Sequence, residues 1–552
     1  MNKSKRVWQM KVAELVVKCL ENEGVDYIFG VPGEENLDIM DALLDSSIEF
    51  IVTRHEASAA FMAGTYGRLT GKPGVCLSTL GPGATNLLTG VANANMDHCP
   101  LVAITGQAGL DRQHKESHQY YDLVSVYKPV TKWNTQIKTG EIVPEVVRKA
   151  FRVATQEKSG ATHIDLPEDI AGMEVDEAPL NLMDHTLAEA SERVIREAVN
   201  LIEQAEHPLI LAGNGIARGN AAASLRTFVE KTSIPVVHTF MGKGALPWNN
   251  ELSLLTAGMA GKDYITCGFT KADLIIAIGF DMAEYPPENW NPDGAVPILH
   301  IDTQEAETDA CYPVKLNVLG NIDENLKELS SALSFTERNN GWVLEVRQEA
   351  LAELEEYKDS QAFPVKPQKI LSDVRSALGE EDILISDVGA HKMWIARMYH
   401  TYEPNTCLIS NGLASMGVSV PGAIAAKMVY PDRNVVAICG DGSLQMSSAE
   451  LETAKRLNLP IVILLWRDGG YGLIEWKQLK KFKRSSNIKF GNPDFIQLAK
   501  SYGFEAIEIK KAEQLKPAIE EAISLKKPVL IDCPVDYSEN MKLTEKLGDL
   551  LC

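Results

Sequence analysis

The chain has 552 residues, and its 54 Lys and Arg are outweighed by 75 Asp and Glu, so no basic surface for nucleic acid or an anionic membrane is implied. Its length is that of about three or four ordinary domains. The nine cysteines are odd in number, scattered, and lack a C-x-x-C pair, which argues for reduced core thiols rather than a disulfide framework or a zinc site.

Lys3, Lys5 and Arg6 open the chain, but Lys11, Glu14 and Lys18 interrupt the next stretch, so no signal-peptide apolar region is expected. No run approaches the ~18 apolar residues of a membrane span. A cytoplasmic protein without membrane or nucleic-acid partners is therefore expected. Val12, Leu15, Val16, Cys19 and Leu20 share one helical face, and Gly24 is a natural stop. The short apolar runs YIFG, IEFIV, GVCLST and PLVAIT then alternate with helical patterns, as in a parallel sheet covered on both faces.

A proline- and acid-bearing stretch, DLPEDIAGMEVDEAPLNLMD, breaks this grammar, with a linker starting around Asp169. A second series (PLILAG, IPVVHT, DLIIAIG, VPILHID) and a third (DILISDVG, TCLIS, NVVAICGDG, PIVILLWRD, PVLIDCP) come next, separated by the charged stretch from Glu337 to Lys366. The expectation is an α/β chain of three doubly wound parallel-sheet domains, 1–170, 190–330 and 365–540.

In VVAICGDGSLQ, Asp441 stands between two glycines where a buried strand ends. Ligands of open parallel sheets sit beyond such ends, where N–H groups favour anions and a carboxylate can hold a hard cation. A bare GDG by itself favours a tight strand-helix turn. Asp468, 27 residues on, ends the next apolar strand before glycines, and adjacent parallel strands would bring both carboxylates to one Mg²⁺ beside a phosphate-bearing cofactor.

GDG followed after such an interval by Asp resembles the signature of thiamine-diphosphate enzymes. FGVPGEEN, RHEASAAFMA, GPGATNLLTG, SHQYYD, IGFDMAEYPP, SDVGAHKMW, ISNGLASMGV, GDGSLQMSSAELETA and CPVDYSEN extend the resemblance over nearly the whole chain, which is most similar to the catabolic, flavin-free acetolactate synthases. The resemblance implies that Asp441, Asp468 and the Gly470 carbonyl bind Mg²⁺. It implies that Gly389, Ala390, His391, Gly440, Gly442, Ser443 and Tyr471 surround the diphosphate, that the Gly412 carbonyl meets the aminopyrimidine, and that Met416 props the cofactor's bent shape. Without the resemblance, Met416 reads equally as core filler.

Glu56, in RHEASAAFMA, would bond the aminopyrimidine ring and drive its proton relay. By spacing alone it is a helix-start carboxylate, and His55-Glu56 is not a zinc-protease motif because no second His comes at the required spacing. In this family, Glu56 and the GDG segment of one site come from different subunits, so a homodimer is the minimum and a tetramer is expected.

The implied reaction is decarboxylation of pyruvate and joining of the two-carbon unit to a second pyruvate, giving 2-acetolactate and CO₂. A 2-oxo acid decarboxylase releasing an aldehyde is the alternative within the family, and a non-catalytic subunit keeping the fold is the alternative outside catalysis. His118 and Gln119 occupy the place of a substrate-side His-Gln pair in synthases, and His114 precedes His118 by the four residues of one helix face. IGFDMAEYPP stands where flavin-binding relatives carry an Arg-rich segment, so FAD is not expected, and GNGIARG is a displaced dinucleotide motif. Lys477 departs from the family pattern of a neutral polar or aromatic side chain; it would either hold a substrate carboxylate or face solvent in the basic run KQLKKFKR.

Overall fold

The computed structural model describes residues 10–182, 186–258 and 265–541. Lys3, Lys5, Arg6, Cys552 and the linker residues Met183 and Asp184 lie outside them. The short apolar runs form three six-stranded sheets, each parallel throughout. The central strands are buried on both faces, which is why they read as continuous apolar stretches rather than alternating ones.

In the N-terminal sheet the strands run Glu49–Val52, Tyr27–Gly30, Gly74–Ser78, Leu101–Gln107, Ala161–Pro167 and Trp133–Gln136 from edge to edge. The last sheet runs Cys407–Ile409, Ile383–Ser386, Val435–Gly440, Ile461–Arg467, Val529–Pro534 and Glu505–Glu508. Numbered within each sheet, both have the order 2-1-3-4-6-5, so the similar strand grammar of the first and third blocks reflects one topology used twice. The middle sheet instead has the order 3-2-1-4-5-6, the dinucleotide-binding one, with its switch point between Pro208–Ala212 and Leu274–Ile278.

The chain divides into two compact units. One combines the residues up to 185 with 413–431 and 447–457, and the other holds the middle and last sheets. The first unit therefore takes in two helices, Ser419–Val429 and Glu450–Arg456, that the chain sends out between strands of the last sheet. Tyr430 closes the first of these by donating to the Leu69 carbonyl at 3.3 Å.

The helix Val12–Asn22 buries the expected apolar face, and Gly24 lies just past its end at φ +77°. Helix Glu56–Thr70 starts where the His55 ring accepts from the Ala57 N–H at 3.1 Å and stops at Gly71 in the left-handed region. Among the described cysteines, Cys19, Cys76, Cys99, Cys311, Cys407, Cys439 and Cys533 are free. Cys267 is disulfide-bonded, which corrects the expectation of reduced thiols throughout. Scattered spacing carries no information about which distant thiols the fold brings together. No helix of the described residues is long and apolar enough to cross a membrane.

Candidate active site

Strands Val435–Gly440 and Ile461–Arg467 pair in register, Gly440 opposite Trp466, so both chain ends emerge side by side. Asp441, 1 % exposed, fastens them. Its Oδ2 accepts the backbone N–H groups of Gly469 at 2.7 Å and Asp468 at 3.2 Å, and the Asn492 Nδ2 at 2.8 Å. Burial first, and then the neighbouring Asp441 charge, pushes the Asp468 carboxyl up to about 7. Gly470 bridges to Lys489 in an isolated antiparallel pair, and the Tyr471 N–H donates to the Ile488 carbonyl at 2.9 Å.

A buried carboxylate beside a half-buried one is balanced either by a proton on Asp468 or by a cation, and a cation lets both stay charged. Among the described residues no group of three or more His, Cys, Asp or Glu is arranged to hold a metal, so remaining ligands have to be neutral oxygens. The Gly470 carbonyl is the expected one. The Asn492 Oδ1 is a second candidate, since it is buried without a hydrogen-bond partner. This all-oxygen set fits Mg²⁺.

The cradle for a diphosphate has the required bareness. A Cβ on Gly389 would lie 2.8 Å from the His391 ring, so a side chain there forces a shift, and one on Gly442 would lie 3.0 Å from the Tyr471 ring, a tight contact. The Ser443 hydroxyl donates to the Val388 carbonyl at 3.2 Å, tying the GDG turn to the DVGAH turn. His391 is buried with its Nε2 unpartnered, and burial lowers its imidazole to about 4, so it is neutral and available as a polar contact. Ala390 is buried beside it, Gly440 is half-buried, and the Tyr471 ring packs edge-on to Phe490 with centroids 5.0 Å apart.

The other group of expected residues belongs to the first unit. Glu56 is half-buried, and its Oε2 accepts from Asn86 Nδ2 at 3.0 Å. Gln119 lies near, because a Cβ on Gly81 would stand 2.8 Å from the Gln119 Cβ while one on Gly83 would stand 3.4 Å from Glu56 Oε1. Met416 is half-buried in this unit, whereas Gly412 falls at the end of a segment of the other. His118 is exposed, and so is Lys477 on helix Gly472–Phe482, the solvent-facing of its two expected placements.

One spacing argument fails. His114 and His118 do not share a helix face, because 113–122 is a loop in which Gln119 adopts φ +56°. Buried Asp165 holds that loop from below. It accepts from Thr105 Oγ1 at 2.8 Å, Gln136 Nε2 at 2.9 Å and Gln107 Nε2 at 3.2 Å. Gln107 also donates to the Tyr121 carbonyl at 3.0 Å, and Gln136 to Gln113 Oε1 at 3.3 Å.

Asn86, Asn492, Asp165 and Glu450 escape sequence reasoning. Asn492 has only the weak signal of a polar turn, Gly-Asn-Pro-Asp, after Ile488-Lys489-Phe490.

Similarity to known proteins agrees with this geometry. Residues 10–126 match the thiamine pyrophosphate enzyme N-terminal TPP binding domain, 195–329 the central domain, and 387–533 the C-terminal TPP binding domain. An acetolactate synthase of Bacillus subtilis (strain 168) is 35% identical, covering 98% of this chain and 96% of its own. The chain belongs to the acetolactate synthase-like family of thiamine pyrophosphate enzymes. A probable acetolactate synthase large subunit of Methanocaldococcus jannaschii is 36% identical over 98% of this chain and 94% of its own. A catabolic acetolactate synthase of Raoultella terrigena is 34% identical over 97% of both chains. Members of this family are thiamine-diphosphate-dependent enzymes, and the three parallel sheets are their fold.

Proposed function

We propose that the chain is an acetolactate synthase that uses thiamine diphosphate and Mg²⁺ to decarboxylate pyruvate and couple the two-carbon unit to a second pyruvate, releasing 2-acetolactate and CO₂. The observation that carries this reading is the buried Asp441 carboxylate beside half-buried Asp468, on a chain that aligns over nearly its whole length with proteins named acetolactate synthase. The cofactor, when bound, supplies the carbanion and the electron sink. Asp441, Asp468 and neutral oxygens at Gly470 and Asn492 hold the metal and, through it, the diphosphate. Gly389, Gly442 and Ser443 offer backbone to the phosphates, and His391 supplies a neutral polar contact. Glu56, oriented by Asn86, holds and moves the proton at the aminopyrimidine ring.

The three domains are taken as 1–170, 190–330 and 365–540. We further propose that the working form is at least a homodimer in which Glu56 of one subunit serves the Asp441 group of another. Mixing Glu56→Gln and Asp441→Asn chains tests this, because a shared site regains activity in the mixed dimer and a site made by one chain does not.

A flavin-free enzyme is supported by the middle sheet. At its switch point the N–H groups of Gly213, Asn214 and Gly215 are taken by the Ile278 carbonyl, Glu284 Oε1 and the Gly279 carbonyl at 2.9, 3.1 and 2.8 Å. The Glu284 carboxylate thus occupies an anion's place in the turn where a dinucleotide's pyrophosphate is normally received.

The deciding experiment incubates the purified protein with thiamine diphosphate, Mg²⁺ and pyruvate and separates the products. Acetolactate with CO₂ is expected; CO₂ with acetaldehyde alone would replace the synthase by a 2-oxo acid decarboxylase.

A further inference from the structure

A cavity of about 610 Å³ opens in the second unit, lined by none of the residues assigned above to cofactor or substrate. That volume lies within the ~300–1,000 Å³ range of small-molecule sites. Leu351, Leu371 and Met398 give it an aliphatic side, while Trp248, His400 and Tyr402 give it an aromatic one. The Trp248 and His400 rings lie with centroids 4.0 Å apart, and Tyr402 stands edge-on to both.

Three polar groups in this apolar setting lack what burial normally demands. Gln368, 6 % exposed, has a buried Oε1 without a partner, and the buried Trp248 Nε1 likewise has none. Arg375, 8 % exposed, donates from Nη1 to the Tyr399 hydroxyl at 2.8 Å and from Nη2 to the Leu378 carbonyl at 2.7 Å and the Gly379 carbonyl. These use three of the guanidinium's five N–H groups. Among the described residues no carboxylate lies within ion-pair distance of it; its other contacts are the Tyr399 and Tyr402 ring faces, 5.0 and 5.6 Å from the guanidinium carbon. A buried guanidinium balanced only by neutral groups favours an incoming anion. The imidazole beside it is neutral, because burial, then the Arg375 charge, lowers His400 to about 3, so His400 adds no second cation.

The remaining lining carboxylates narrow the class. Glu355, already paired with Lys358, and Glu380 share the cavity, which disfavours a dianionic phosphate relative to a singly charged carboxylate. The N–H groups left on Arg375, at Nε and Nη1, suit the single charge of a carboxylate, Trp248 offers one donor, and Gln368 asks for one. We infer that this cavity is a second small-molecule site, separate from the thiamine-diphosphate site, that takes an aromatic monocarboxylate bearing an N–H or O–H donor.

Indole-3-acetate has each of these features, and indole-3-acetamide keeps its shape while replacing the carboxylate by a neutral amide with one acceptor oxygen. Both are titrated by calorimetry into the full chain loaded with thiamine diphosphate and Mg²⁺. The acid is expected to bind at least about tenfold more tightly than the amide. Leu351→Trp and Ser372→Phe, which fill the cavity from different helices, should abolish binding while melting temperature and turnover of pyruvate stay as in the parent. Gln368→Leu should weaken the acid severalfold. Equal binding of acid and amide, no binding of the acid up to millimolar concentration, or unchanged binding in a folded cavity-filled variant would each overturn the inference.

Discussion

Glu450 Oε1 accepts the backbone N–H groups of Arg54 at 3.0 Å and His55 at 3.1 Å, the two residues just before Glu56. Its Oε2 accepts from Thr453 Oγ1 at 2.6 Å, and the side chain is fully buried. Burial pushes this carboxyl above its ordinary range, against the pull of those hydrogen bonds. A residue nine positions after Asp441 therefore fixes the start of the helix that presents Glu56. Glu450→Ala would leave the N–H groups of the exposed residues Arg54 and His55 without their protein acceptor, at a cost of roughly 0.5–1.5 kcal/mol each. We expect kcat to fall by about tenfold with KM for pyruvate nearly unchanged, since the loss is of orientation rather than of substrate contact. Glu450→Gln, whose amide oxygen can face the two N–H groups, should recover most of it. A purely structural role would lower melting temperature without this recovery of kcat.

Glu56 itself is held only by Asn86 among the hydrogen bonds seen. Glu56→Gln preserves that bond and removes the exchangeable proton. Turnover should drop by about 10²–10⁴-fold, the usual worth of a general acid or base. Titration with thiamine diphosphate should still show binding within a fewfold of the parent. Asn86→Ala should cost far less, and unaltered turnover in Glu56→Gln would end the proton-relay assignment.

The unpartnered Asn492 Oδ1 offers a test of the proposed metal site that is separate from catalysis. Asn492→Ala removes both the brace on Asp441 and the spare oxygen, so about 10–100-fold more Mg²⁺ should be needed for half-maximal activity. Saturating Mg²⁺ should restore the rate. Asp441→Asn, by contrast, should stay inactive at any Mg²⁺ concentration, because it also breaks the acceptor for Gly469 and Asp468. Identical Mg²⁺ dependence in Asn492→Ala and parent would remove Asn492 from the site.

The parts legible in the sequence are those set by local pattern. PIVILLWRD and VVAICGDG name their own strands because parallel strands are buried on both faces, and Asp441 and Asp468 come where those strands end. Glu450 is not legible, because in AELETAKRL it looks like one more charge on a solvated helix; only the chain's return to the Arg54 turn buries it. The same long-range path hides the joining of Ser419–Val429 to the first unit. His114 and His118 mislead in the opposite way, since four-residue spacing has no meaning where the backbone is a loop held by Asp165 through two glutamines.

Glu284 allows a test by pH that needs no substrate. Its Oε2 accepts from Thr239 Oγ1 at 2.6 Å and the Met241 N–H at 3.3 Å, in addition to the Asn214 bond. Burial first, then the Asp281 charge, raises its carboxyl from 4.5 to about 7, while Asp281 pairs with Arg218 at 3.2 Å. Because the folded value lies above the unfolded one, the folded chain holds the extra proton between them. The stabilisation is full below about 4.5 and is lost as pH rises through about 7. The two values span on the order of 3 kcal/mol. In Glu284→Gln the side chain stays neutral, so melting temperature should fall less steeply from pH ~5.5 to ~8.5 than in the parent. Above about pH 7, where the parent carboxyl is charged, the amide should also leave the switch-point turn without its internal anion, and inorganic pyrophosphate should then bind this variant more tightly than the parent. Parallel melting profiles for the two proteins would show that Glu284 does not carry that proton.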